Sequence, residues 1–165
     1  MGASDTGEAA TGTPAAGLFR RRMVVSPDEI SAVGRAVAEA CAGEPDVILA
    51  YLHGSAIRGE PAADLDVGVY LADSSASAAT KAFGVCERLA WHIEQRRVAS
   101  LPLDVRPVNG AGPAFRFDLL SRGRLVFFRS DDDRVVTEAE WASEWHDFRP
   151  FHDRLVEAFL RRKTG

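Results

Sequence analysis

A chain of 165 residues, 46% of them hydrophobic, is long enough to close one well-filled core and too short for two domains of ordinary size. Its net charge of −4 excludes a global basic field of the kind that gathers nucleic acid, so no direct nucleic-acid partner is expected. No apolar run approaches a membrane span or a signal segment, which leads to the expectation of a cytoplasmic protein without a membrane partner.

In chain order, residues 1–17 hold no large apolar side chain after Met1 and are expected to form a disordered tail, with the folded domain over 18–165. Arg20, Arg21 and Arg22 read as a solvated basic stretch. Ser26, Pro27 and Glu29 mark a helix start, with Ser26 as N-cap, Pro27 at the first helical position and Glu29 closing a capping box. Gly43 and Pro45 should stop that helix after about Ala42, and Val47 to Leu52 reads as a buried strand. A second strand is expected over Leu65 to Leu71, a polar connection over 72–76, and a helix from Ala78 to Val98 with Phe83, Val85, Leu89 and Ile93 among its apolar positions.

A third strand carries Asp104. Gly112 and Pro113 open a helix with Phe115, Phe117, Leu119 and Leu120, which Gly123 ends before a short strand over Leu125 to Phe128. Asp131, Asp132 and Asp133 begin the last helical region, where negative charge suits the helix dipole. Within it Trp141, Trp145, Phe148 and Phe151 make an aromatic stripe, read as core or partner surface. Cys41 and Cys86 lack metal-ligand or disulfide spacing and read as buried free thiols. Strands alternating with helices define an α/β fold: a single small domain with a mixed sheet packed against helices.

The chemistry concentrates between Gly54 and Leu71. Gly54 permits a tight turn after the first strand, and Ser55 can begin a short helix whose backbone N–H groups attract phosphate oxygens. Residues i and i+2 of a strand face one side, so Asp64 and Asp66 would present their carboxylates together. Hard oxygen donors of that kind suit Mg²⁺ shared with substrate phosphates. Arg58, one turn beyond Ser55, could grip phosphate or pair with Glu60 at the surface.

The order strand, Gly-Ser, Arg-Gly, Asp-x-Asp, apolar strand resembles the DNA polymerase β-like nucleotidyltransferase superfamily, and specifically its minimal nucleotidyltransferases. The stretch Leu101 to Asn109 is similar to the family's third-carboxylate strand, with Asp104 in the carboxylate position. The segments Phe115 to Phe128 and His146 to Pro150 are similar to later helices and strands of these proteins. Family members usually place ten residues between Gly-Ser and the first aspartate, whereas Ala56 to Ala63 supply eight here. In the register with a shortened loop, Asp64 and Asp66 are the metal pair; in the register that keeps the usual spacing, Asp66 comes first and Gly68 takes the second position. The first register starts the strand with both carboxylates and is preferred.

The resemblance implies roles. Asp64, Asp66 and Asp104 would hold two Mg²⁺ ions, with Asp104 also able to take a proton from the acceptor hydroxyl. Gly54, Ser55 and Arg58 would bind the nucleotide, ATP. His53, where family members often carry Phe, reads mainly as packing. Minimal nucleotidyltransferases serve as antitoxins that transfer AMP to a tyrosine of a partner HEPN ribonuclease toxin. This chain, which lacks the HEPN signature, would be the transferase half. Two alternatives are a catalytically silent antitoxin that neutralises by binding, and an enzyme that nucleotidylates a small molecule.

Overall fold

The computed structural model describes residues 22–72 and 78–163. The expected tail at 1–17 and most of the connection at 72–76 lie outside the described residues. The chain runs α1 (Pro27–Ala42), β1 (Val47–His53), α2 (Gly54–Ile57), β2 (Leu65–Leu71), α3 (Ala78–Gln95), β3 (Leu103–Pro107), α4 (Pro113–Arg122), β4 (Arg124–Phe128) and α5 (Asp131–Lys163).

Local marks explain where the helices begin. Ser26 Oγ accepts from Glu29 N–H at 3.2 Å and Pro27 takes the first turn of α1. The capping box is only half made, because the Glu29 carboxylate accepts instead from Ser100 N–H and so ties α1 to the approach of β3. In α3 the helix stops at Gln95, short of Val98: Arg96 and Arg97 donate back to Ile93 and Glu94, and Arg97 turns to a φ of 50°. Val98 packs on the same core from the loop that follows. Ser130 Oγ accepts from Asp133 N–H at 3.1 Å at the start of α5.

The sheet is mixed, with order β3-β2-β1-β4. β1 pairs antiparallel with both β2 and β4, while β2 and β3 run parallel, joined through the α3 crossover. Alternation divides the side chains between two cores. Ala50, Leu52, Leu65, Val67, Val69 and Leu71 pack with Val33 and Val37 of α1 and Val85, Leu89 and Ile93 of α3. Leu49 and Tyr51 pack on the other side with Leu119 of α4 and Trp141 of α5. A register shift between Val47 and Leu49 lets these two residues join opposite cores.

With helices on both faces, β1 is buried nearly throughout, which is why it reads as a continuous apolar run. Cys41 and Cys86 are free and buried, as expected, and burial pushes both thiols up to about 12.

Beyond β3 the side chain of Asn109 accepts from Leu71 N–H at 3.1 Å and donates to Leu71 O at 2.7 Å. Trp141, 1% exposed, lies with its ring centroid 6.2 Å from Tyr51 and 5.3 Å from Tyr70. Its helix continues through Pro150, where aromatic contacts from Trp145 to Phe148 and His152, and from Phe148 to Phe151, bridge the break in backbone bonding.

Candidate active site

Side-chain parity brings the chemistry to one face. On β2, Asp66, Gly68 and Tyr70 point away from the α1–α3 core; on β3, Asp104 and Arg106 share that side. Asp66 and Asp104 are direct partners in the parallel register, and His53 of β1 is opposite Asp66 on its other flank. His53, Asp66, Asp104 and Arg106 line a cavity of about 270 Å³ with Pro107, Val108 and Phe115.

The Gly-Ser turn closes on the same carboxylate. Gly54 adopts a φ of +81°, and a Cβ added there would come 2.1 Å from Asp66 Oδ2, so the glycine makes room for the aspartate itself. The single turn of α2 follows, and Glu60 N–H donates to Ser55 O at 3.1 Å to fold the loop back. A bridge between Met23 and Ala62 pairs the end of this loop with the segment before α1. Gly68 is roofed over: a Cβ there would stand 3.0 Å from Val108 Cγ1 and 3.5 Å from Leu119 Cδ1, which leaves no space for a carboxylate at that position.

The structure thus brings Asp66 and Asp104 together and sets Gly54 against Asp66. Asp64 lies in the bend before β2, outside the cavity wall, yet near enough for its charge to act on Asp66 and Arg106. Arg58 is engaged with Glu60, its Nε and a terminal nitrogen donating to the two carboxylate oxygens at 3.0 and 3.1 Å. His53, read from sequence as packing, does pack, with its ring edge-on to Phe115 at 5.3 Å, and also forms part of the cavity wall. Arg106 and Phe115 are further members of that wall. Arg106 was within reach of sequence reasoning, since a residue two beyond Asp104 on a strand must share its face.

Electrostatics follow from the crowding of acids. Burial raises the Asp66 carboxyl above its ordinary value, and the charges of Asp64 and Asp104 add to this against the opposing effects of His53 and Arg106. Burial holds His53 below the ordinary histidine value, partly offset by Asp66, Asp118 and Asp104. Among the described residues no three His, Cys, Asp or Glu side chains converge as a preformed metal-binding group. The donor set nonetheless suits a hard cation: a half-buried carboxylate destabilised by two neighbouring carboxylates gains most from a divalent ion.

A glycine turn pressed on paired carboxylates of adjoining strands is a site built for phosphoryl chemistry. The chain belongs to the polymerase beta nucleotidyltransferase family, which it matches over residues 36–132, a span from α1 into α5 that includes every residue of this cleft. No curated protein matches it in sequence.

Among solved structures it is similar to a toxin-antitoxin with AMP-PNP, at 17% identity over 82% of this chain and 99% of that one, with a TM-score of 0.54. It is also similar to the toxin-antitoxin MntA-HepT, at 15% identity over 81% and 95% with a TM-score of 0.51. A third likeness is to the tri-AMPylated Shewanella oneidensis HEPN toxin in complex with MNT antitoxin, at 13% identity over 80% and 98% with a TM-score of 0.55. At these identities the likeness shows the fold. Among the described residues no helix is long and apolar enough to cross a membrane.

Proposed function

We propose that the chain is an Mg²⁺-dependent adenylyltransferase that moves AMP from ATP to a tyrosine of a HEPN ribonuclease toxin and thereby acts as its antitoxin in the cytoplasm. The observation that carries this reading is the in-register pair Asp66 and Asp104 facing the Gly54 turn, in a chain of the nucleotidyltransferase family. The named toxin-antitoxin structures, matched over nearly their whole length, support the choice of acceptor.

In the reaction, a partner tyrosine oxygen attacks the α-phosphorus of ATP. The bond to the β-phosphate oxygen breaks, pyrophosphate leaves, and the hydroxyl proton passes to Asp104. Gly54 and Ser55 cradle the triphosphate at the one-turn helix, and Arg58 can reach the same phosphates on exchanging its bond to Glu60. Asp64, Asp66 and Asp104 would hold two Mg²⁺ ions, whose charge, when bound, offsets that of the phosphates. His53 and Phe115 pack edge to face on one wall of the cleft.

Co-expression with the toxin partner tests this. The intact mass of the partner should rise by one or more AMP groups with the wild-type chain and stay unmodified with Asp64→Ala/Asp66→Ala. A second reading, a silent antitoxin that works by binding, is favoured by the eight-residue loop. It predicts relief of toxicity by both forms with no added mass. Nucleotidylation of a small molecule has less support, since the similar solved structures, covered over nearly their whole length, are those of toxin-antitoxin proteins.

A further inference from the structure

Two of the arginines near the cleft are used differently. Arg58 closes its fork on both oxygens of Glu60, a pair lying at the surface. Arg106 offers only its Nε–H, shared between Asp104 Oδ1 at 2.8 Å and Oδ2 at 2.9 Å. Neither terminal nitrogen of Arg106 has a hydrogen-bond or ion-pair partner among the described residues. The anchored Nε leaves both terminal NH₂ groups available in one plane, the arrangement that binds two oxygens of a phosphate.

The surroundings fit that use. The Arg106 side chain is 73% exposed and borders the cavity, where it is the only lysine or arginine among the described lining residues, beside the carboxylates of Asp66 and Asp104. A polyanion entering this acidic cleft needs a cation there, and an exposed ion pair between residues two apart on one strand adds little to folding. Cross-strand register holds the base of the side chain firmly, since Arg106 is opposite Gly68 on β2.

We propose that Arg106 is a phosphate-binding residue: with Nε held on Asp104, its terminal nitrogens take the non-bridging oxygens of the nucleoside triphosphate. This rests on the nucleotidyl-transfer reading and adds to it a contact outside the Gly-Ser turn. Arg106 is then poised before the nucleotide arrives, whereas Arg58 must first give up Glu60.

Calorimetric titration of the full chain with ATP and Mg²⁺, without a protein partner, tests the assignment. Arg106→Gln should weaken ATP by roughly tenfold or more, as expected for loss of charge-assisted bonds to phosphate. Arg106→Lys should lose less, and Arg96→Gln, whose side chain pairs with Glu39 away from the cleft, should stay within about threefold of wild type, as for an exposed pair. Inorganic pyrophosphate should follow ATP, while adenosine should bind all forms alike. Thermal melts of the exposed-site variants should match wild type, separating binding from folding. ATP affinity of Arg106→Gln within about twofold of wild type would overturn the proposal, as would an equal loss in Arg96→Gln. A wild-type chain that binds no nucleoside triphosphate overturns the nucleotidyl-transfer reading as well, and that result is distinct from one in which only Arg106→Gln keeps full affinity.

Discussion

Replacing Gly54 by alanine asks whether the turn and the Asp66 carboxylate form one unit. The backbone at position 54 has a φ of +81°, and the new methyl would stand 2.1 Å from Asp66 Oδ2. A left-handed backbone costs a non-glycine residue about 1–2 kcal/mol. Clearing the methyl moves the carboxylate by roughly an ångström, and turning the side chain off its rotamer adds about 0.5–1.5 kcal/mol. The expected loss is therefore about 2–3 kcal/mol.

Gly59 provides an internal control. Its φ is +72°, but nothing lies within 4 Å of an added Cβ, so Gly59→Ala should carry the backbone cost alone. In an Asp66→Ala background the steric part disappears, and Gly54→Ala should fall to the level of Gly59→Ala. Urea unfolding of the single and double variants, read by circular dichroism, should show a coupling of about 1 kcal/mol between positions 54 and 66. Strict additivity, or equal costs at 54 and 59, would refute the reasoning.

Two other substitutions probe the site and its support. The Asp66 carboxyl is raised by burial and by its acidic neighbours, so its contribution to stability is present at acid pH and is lost as pH rises through the raised value. Asp66→Asn should accordingly melt above wild type at about pH 8 and converge with it near pH 3–4, where the native carboxyl is protonated too; a variant less stable than wild type at the higher pH would contradict this. Trp141→Ala empties a fully buried site between Tyr51, Tyr70 and α5, and should reduce unfolding free energy by about 3–5 kcal/mol in urea titration, a loss below about 1 kcal/mol being incompatible with the packing.

Much of this architecture was legible where the signal is local. Ser26-Pro27, Gly112-Pro113 and Gly123 bound their helices because caps and φ restrictions act over a few residues. The end of α3 was not, since Arg97 stops the helix in a left-handed conformation that no glycine announces. Nor was the half-made capping box, because the competing partner of Glu29, Ser100, is brought in by the tertiary fold. A proline normally signals a helix end, yet the aromatic contacts on either side of Pro150 keep α5 continuous.

The site divides in the same way. Asp66 and the Gly-Ser turn carry a motif, and Asp104 was reached through the family's third strand. Strand order, and with it the pairing of Asp66 with Asp104, depends on contacts between distant segments and has no local sign. The eight-residue loop between Ser55 and Asp64 likewise closes through the bridge from Ala62 to Met23, a residue before α1. Alternation alone would have added Arg106, while the approach of Phe115 from α4 needed the fold.

The amide of Asn109 has a reach beyond its own neighbourhood. By accepting from Leu71 N–H and donating to Leu71 O, its side chain extends the β2–β3 pairing past Pro107, the last paired residue of β3. A slide of one residue would turn Asp104 and Arg106 toward the α1–α3 core and leave Asp66 facing an apolar partner. The alignment of Asp66 with Asp104 is therefore supported at the far end of the strand pair, by a residue outside the cavity wall.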